Sequence, residues 1–107
     1  MKTEDIRKLA VNALEELKGV DIIVLDVRER STITDYMVIA SGTSDRHVNS
    51  LAEKVKEMSK AAGVLPLGVE GGRDSSGWVL VDLVDVVVHV MRPDVREFYN
   101  LEKLWSV

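Results

Sequence analysis

The stretch from Trp78 to Met91, W-V-L-V-D-L-V-D-V-V-V-H-V-M, constrains the fold more than any other part of the chain. Two short β-branched runs meet at Leu83–Asp85, a pattern that predicts a buried β-hairpin. Trp78 opens the hairpin directly after a glycine-rich loop. Asp82 and Asp85 bracket its turn, and His89 interrupts the most apolar run of the protein. The segments upstream read as scaffold packed on this sheet, and those downstream as a tail folded back on it.

Around the hairpin, apolar periodicity supplies the other elements. Ile6, Leu9, Ala10, Ala13, Leu14 and Leu17 fall at helical spacing, with Thr3 as the expected N-cap and Gly19 as the expected left-handed stop. Ile22–Leu25 is a continuous apolar run, which suits a strand covered on both faces and closed by Asp26. Tyr36–Ala40 is a second strand, near enough to pair with it antiparallel. Ser41–Asp45 leads into a helix with Val48, Leu51, Ala52, Val55, Met58 and Ala62 on one face, ending at Gly63. Leu65–Glu70 reads as a strand in which Pro66, unable to donate to a ladder, fits only at a sheet edge or in the first residues. Gly71–Gly77 reads as a mobile loop. Beyond Pro93, Asp94 and Glu97 form a candidate capping box for a short helix through Tyr99. Leu101, Leu104 and Trp105 then form a C-terminal hook. The order α-β-β-α-β-β-β-α predicts an α+β fold, a mixed β-sheet of about five strands with two main helices on one face. Its other face is expected to be partly open to a partner.

Several function classes are excluded at this level. The 107 residues suffice for one domain, 1–107, and contain no cysteine, so neither disulfides nor thiolate chemistry is available. The polar start predicts no signal peptide, and no run approaches the roughly 20 apolar residues of a bilayer span, so the expected location is cytoplasmic. Net charge is −4 with dispersed Lys and Arg, which gives no basic face for direct nucleic-acid binding. That acidity fits a basic protein partner, or nothing beyond solubility. A helix-backed mixed sheet with a Ser-Gly loop brings nucleotidyltransferases to mind, but their D-x-D pair is missing. Asp82 and Asp85 are three apart, which would place them on opposite faces of a regular strand. No metal-ligand spacing links His47 and His89, and no serine has a nucleophile elbow, so neither cofactor nor catalysis is expected. Trp78 has two readings, a core side chain or an exposed interface anchor.

Seven segments in order carry a family resemblance over nearly the whole chain. They are Leu25-Asp26-Val27, Ile33-Thr34-Asp35-Tyr36, Gly42-Thr43-Ser44-Asp45-Arg46-His47-Val48, Gly68-Val69-Glu70-Gly71, Trp78-Val79-Leu80-Val81-Asp82, Val86-Val87-Val88-His89-Val90 and Tyr99-Asn100-Leu101-Glu102-Lys103-Leu104-Trp105. In these the chain is similar to the ribosomal silencing factor family, also called Iojap-like. The resemblance implies a nucleotidyltransferase-like fold without the catalytic motif. It further implies binding to the large ribosomal subunit through ribosomal protein L fourteen, steric blocking of subunit joining, and repression of translation. In some members it implies a role in large-subunit maturation, or a homodimer. Carried onto this sequence, it assigns Trp78, Leu80 and Asp82 to a partner-facing strand, with Glu70 and Gly71 beside it. His89 and Tyr99 match family positions without an assigned role, and nothing is carried onto Arg73 or Asp74. Val84 departs from the glycine common at the hairpin turn, and valine tolerates positive φ poorly. Two alternatives stay open: a nucleotide-binding enzyme of nucleotidyltransferase type using the Gly42–Asp45 loop, and a generic dimeric interaction module.

Overall fold

The computed structural model describes residues 1–72 and 76–105. The expectation of a mobile loop over Gly71–Gly77 falls partly on residues 73–75, outside the described residues. The elements are α1 (Thr3–Glu16), β1 (Val20–Asp26), β2 (Tyr36–Ser41), α2 (Asp45–Ala61), β3 (Gly68–Gly71), β4 (Trp78–Asp82), β5 (Val86–Met91), α3 (Pro93–Tyr99) and α4 (Leu101–Trp105). The strands form one five-stranded sheet in the order β1-β2-β5-β4-β3. Only β2 and β5 run parallel; the other three pairs are antiparallel, so the sheet is mixed as expected.

Strand alternation sorts the side chains between two cores. On the inner face, Val38 and Ala40 of β2, Val79 and Val81 of β4, and Val86, Val88 and Val90 of β5 pack against both long helices. Those helices contribute Ile6, Ala10, Ala13 and Leu14 from α1, and Val48, Leu51, Ala52 and Val55 from α2. On the outer face, Met37, Ile39 and Met91 pack with Val27, against Val95 of α3 and Leu101 and Trp105 of α4. Leu104 of the expected C-terminal hook stays exposed.

Several local expectations are corrected. The N-cap of α1 is Lys2, and the Thr3 hydroxyl instead donates to Asp85 Oδ2 at 3.3 Å. After α1 the left-handed residue is Lys18 (φ 60), not Gly19. A Cβ on Gly19 would sit 3.0 Å from the Leu14 carbonyl oxygen, a tight contact that favours glycine here. Strand β1 is not covered on both faces but is a half-exposed edge, with a register shift between Val20 and Ile23 and positive φ at Asp21. Strand β3 starts at Gly68, later than expected, and leaves Leu65 and Leu67 exposed outside it.

The C-terminal segment is two short helices rather than one. Pro93 occupies the first turn of α3, where a missing N–H costs nothing, and the N-cap is Arg92, not Asp94. Asn100 (φ 49, ψ 54) breaks the helix in the left-handed region that asparagine tolerates. Arg96 then fastens both helices to the sheet. Its guanidinium pairs with Glu102 of α4 and donates from Nη1 to Ser41 Oγ at the end of β2, 2.9 Å away.

The hairpin turn is tight. The Asp85 N–H donates to the Leu83 carbonyl at 3.0 Å, which closes a three-residue turn around Val84. Val84 has φ 74, a conformation that costs a β-branched residue of order 1–3 kcal/mol. Asp82 Oδ1 offsets part of this by accepting the Val84 N–H at 2.8 Å. The half-exposed Val84 side chain contributes little packing in return. Val84→Gly is therefore expected to raise stability by about 1 kcal/mol, read as a higher urea midpoint with an unchanged slope.

Candidate functional site

The site residues expected from sequence lie on and around the open half of the outer face. Along β4, Val79 and Val81 turn inward, which leaves Trp78, Leu80 and Asp82 outward. On the neighbouring edge strand Glu70 stands opposite Leu80, and Gly68 opposite Asp82. Trp78, Leu80, Glu70, Gly71 and Ser76 line a hollow of about 250 Å³. Four of the five expected residues thus meet in one concavity. Asp82 shares their face but lies beyond the hollow, its carboxylate engaged by the turn. Ser76 was missed because serine in a Gly/Ser-rich loop carries no distinguishing signal.

Gly71 belongs here for a conformational reason. It has φ 86, and a Cβ on it would lie 2.2 Å from the Trp78 carbonyl oxygen. Its lack of a side chain lets the end of β3 close against the start of β4 beside Trp78.

Trp78 combines features of both readings, core and surface. It is half-buried, packs against the outer core and lines the hollow. Its Nε1–H donates to His89 Nδ1 at 3.0 Å. The Tyr99 ring from α3 tilts against it with centroids 4.8 Å apart, and Phe98 meets Tyr99 edge-on at 5.1 Å. Phe98 is 80% and Tyr99 54% exposed, so an aromatic ridge borders the hollow. His89 is itself buried, opposite Leu80 on one side and Ile39 on the other. Burial pushes its imidazole down from 6.5 to about 4, so the ring is neutral at pH 7, and its bare Nδ1 accepts the indole proton. The pairing was readable in principle, because the hairpin register puts Trp78 and His89 on one face as diagonal neighbours.

The Gly42–Asp45 loop is committed to holding elements together. Ser44 caps α2 by accepting the His47 N–H at 3.1 Å. The Thr43 N–H donates to His47 Nδ1 at 2.9 Å, which leaves His47 Nε2–H to donate to the Leu17 carbonyl at 2.8 Å. Arg92 Nη1 reaches Asp45 at 3.1 Å, and a Cβ on Gly42 would press on Val48. The two turn carboxylates diverge, with Asp82 facing the turn amide and Asp85 facing Thr3. Among the described residues, no three His, Asp or Glu side chains gather as metal ligands. Among them, too, no helix is long and apolar enough to cross a membrane.

The buried imidazole implies a pH dependence. Between pH 4 and 6.5 the unfolded chain binds a proton at His89 that the folded chain does not. Stability is therefore lost as pH falls through that window, by on the order of 3 kcal/mol from this residue. Urea unfolding at pH 7 and pH 4.5 should show a smaller loss for His89→Asn than for the parent chain. Equal losses would remove His89 as the source.

Comparisons with known proteins place the sequence and the fold in a family. A family model described as "Ribosomal silencing factor during starvation" matches residues 1–107. A Chromobacterium violaceum protein named "Ribosomal silencing factor RsfS" is 49% identical over 106 residues, covering 99% of this chain and 86% of that one. A Bacillus subtilis protein of the same name is 42% identical over 106 residues, covering 99% and 89%. A crystal structure of a Chromobacterium violaceum protein superposes with a TM-score of 0.95 at 48% identity, covering 98% of this chain and 87% of that one. On this evidence of sequence and fold, the chain belongs to the ribosomal silencing factor family.

Proposed function

We propose that this chain is a ribosome-associated regulator of translation. It docks on the large ribosomal subunit through ribosomal protein L fourteen and, once seated there, blocks the joining of the small subunit. Membership of the silencing factor family supports the ribosomal setting. The observation that carries the docking surface is the hollow itself: an apolar centre of Trp78 and Leu80, with the Glu70 carboxylate at its wall and Asp82 on the same face. Such a patch suits a partner with a basic rim around an apolar contact. The net charge of −4 argues in the same direction, since ribosomal RNA repels an acidic domain and a basic ribosomal protein attracts it. The action proposed is steric, not catalytic. The nucleotidyltransferase relationship is proposed for the fold alone, because the turn carboxylates diverge and the Ser-Gly loop is consumed in capping.

Order of addition tests the mechanism. Added to isolated large subunits before small ones, the protein should suppress subunit association measured by light scattering. Added to preformed ribosomes it should have little effect, and equal inhibition in both orders would exclude steric blocking. Leu80→Ala should weaken large-subunit binding by about 2 kcal/mol while keeping a cooperative melt. Glu70→Lys should mainly slow association, and less so near 1 M salt, where the Debye length is roughly 3 Å.

A further inference from the structure

We infer that His89 is a positioning residue for the docking surface: its Nδ1 takes the indole N–H of Trp78 and so fixes which side of the indole the hollow receives. The inference rests on the proposed docking surface and assigns a specific task to a residue buried beneath it. Trp78 and His89 occupy neighbouring strands on the outer face, with Trp78 paired to Met91 and His89 paired to Leu80 in the register. The bond between them spans this diagonal at 3.0 Å, and the two rings tilt together with centroids 5.7 Å apart.

Two constraints make the bond directional. An indole N–H in a half-buried position needs an acceptor, because an unmade bond there costs the desolvation of the donor. Tyr99 packs against the indole ring without replacing that acceptor role. His89 supplies the acceptor from a site too buried to touch a partner, so its effect on docking passes through Trp78. With the N–H turned inside, the indole's only polar atom is consumed within the protein. The surface that Trp78 gives the hollow, beside Leu80, is therefore hydrocarbon, and the hollow suits an apolar group.

The test separates the acceptor from the bulk of the ring. His89→Asn keeps an acceptor near the Nδ1 position, whereas His89→Leu keeps volume and removes it. In the parent protein and in His89→Asn, the Trp78 indole ¹H–¹⁵N resonance, assigned with Trp78→Phe, should sit downfield and exchange slowly with solvent. In His89→Leu it should move upfield and exchange faster. Affinity for isolated large subunits should fall about tenfold in His89→Leu, as expected for one lost hydrogen bond, and recover in His89→Asn. A purely structural role would lower melting in both variants without this split between them. Parent-like affinity for His89→Leu, or equal weakening by both variants, overturns the inference. Should His89→Leu fail to fold, imidazole ¹⁵N shifts of the parent protein decide: a proton on Nδ1 overturns it, and a bare Nδ1 supports it. If the parent protein does not bind large subunits, the proposed function fails, and the indole resonances alone decide whether His89 orients Trp78.

Discussion

The structure depends on burying β5 on both faces. This strand lies between β2 and β4, with Val86, Val88 and Val90 packed on the long helices and Met91 beneath the C-terminal pair. A strand in that position can carry a polar side chain only where a partner waits for it, because an unpaired buried donor or acceptor costs more than a bond returns. His89 is that side chain, and Trp78 is its partner. The requirement also locks the hairpin register. A slip of one residue between the two strands would turn His89 into the inner core against α1 and α2 and leave Trp78 on the outer face without its acceptor. Core packing and the shape of the docking hollow thus rest on one alignment of two strands.

Much of this alignment is legible in the sequence because it is written in periodicity. The β-branched runs on either side of Leu83–Asp85 give the hairpin, and their alternation places Trp78, Leu80 and Asp82 on one face. The helical stripes give α1 and α2. What periodicity does not carry is which face of an apolar run finds cover. Ile22–Leu25 looks like an interior strand, yet β1 borders the sheet: Ile23 and Leu25 pack on the outer core while Val24 stays exposed on the other side. Local chemistry also misled where tertiary contacts won. Thr3 has the composition of an N-cap, but its hydroxyl serves Asp85. Gly19 resembles a helix stop, but what favours it is its close approach to Leu14, while Lys18 takes the left-handed turn.

The candidate site was legible through the family resemblance and not through periodicity, which left Trp78 open between core and surface. Glu70, Leu80 and Trp78 converge because the pairing of β3 with β4 brings like faces together. The role of Gly71 rests on a backbone approach of β3 to the Trp78 carbonyl, visible only once the two strands are paired. The task of His89 likewise needs the register and not merely the residue. The Gly42–Asp45 loop shows the opposite case, in which a suggestive composition is fully spent on capping α2, holding His47 and tying α1 to its neighbour.

The irregularity near the start of β1 has a colloidal consequence. Positive φ at Asp21 and the register shift between Val20 and Ile23 bend that edge out of a flat ladder. At the opposite edge, β3 spans only Gly68–Gly71 and has glycine at both ends. An open sheet is a template for further strands wherever a long, straight edge is left bare, and bulges and short strands are the usual defences. Both borders of this sheet carry such a defence, so edge-to-edge growth into fibrils finds no long register to copy.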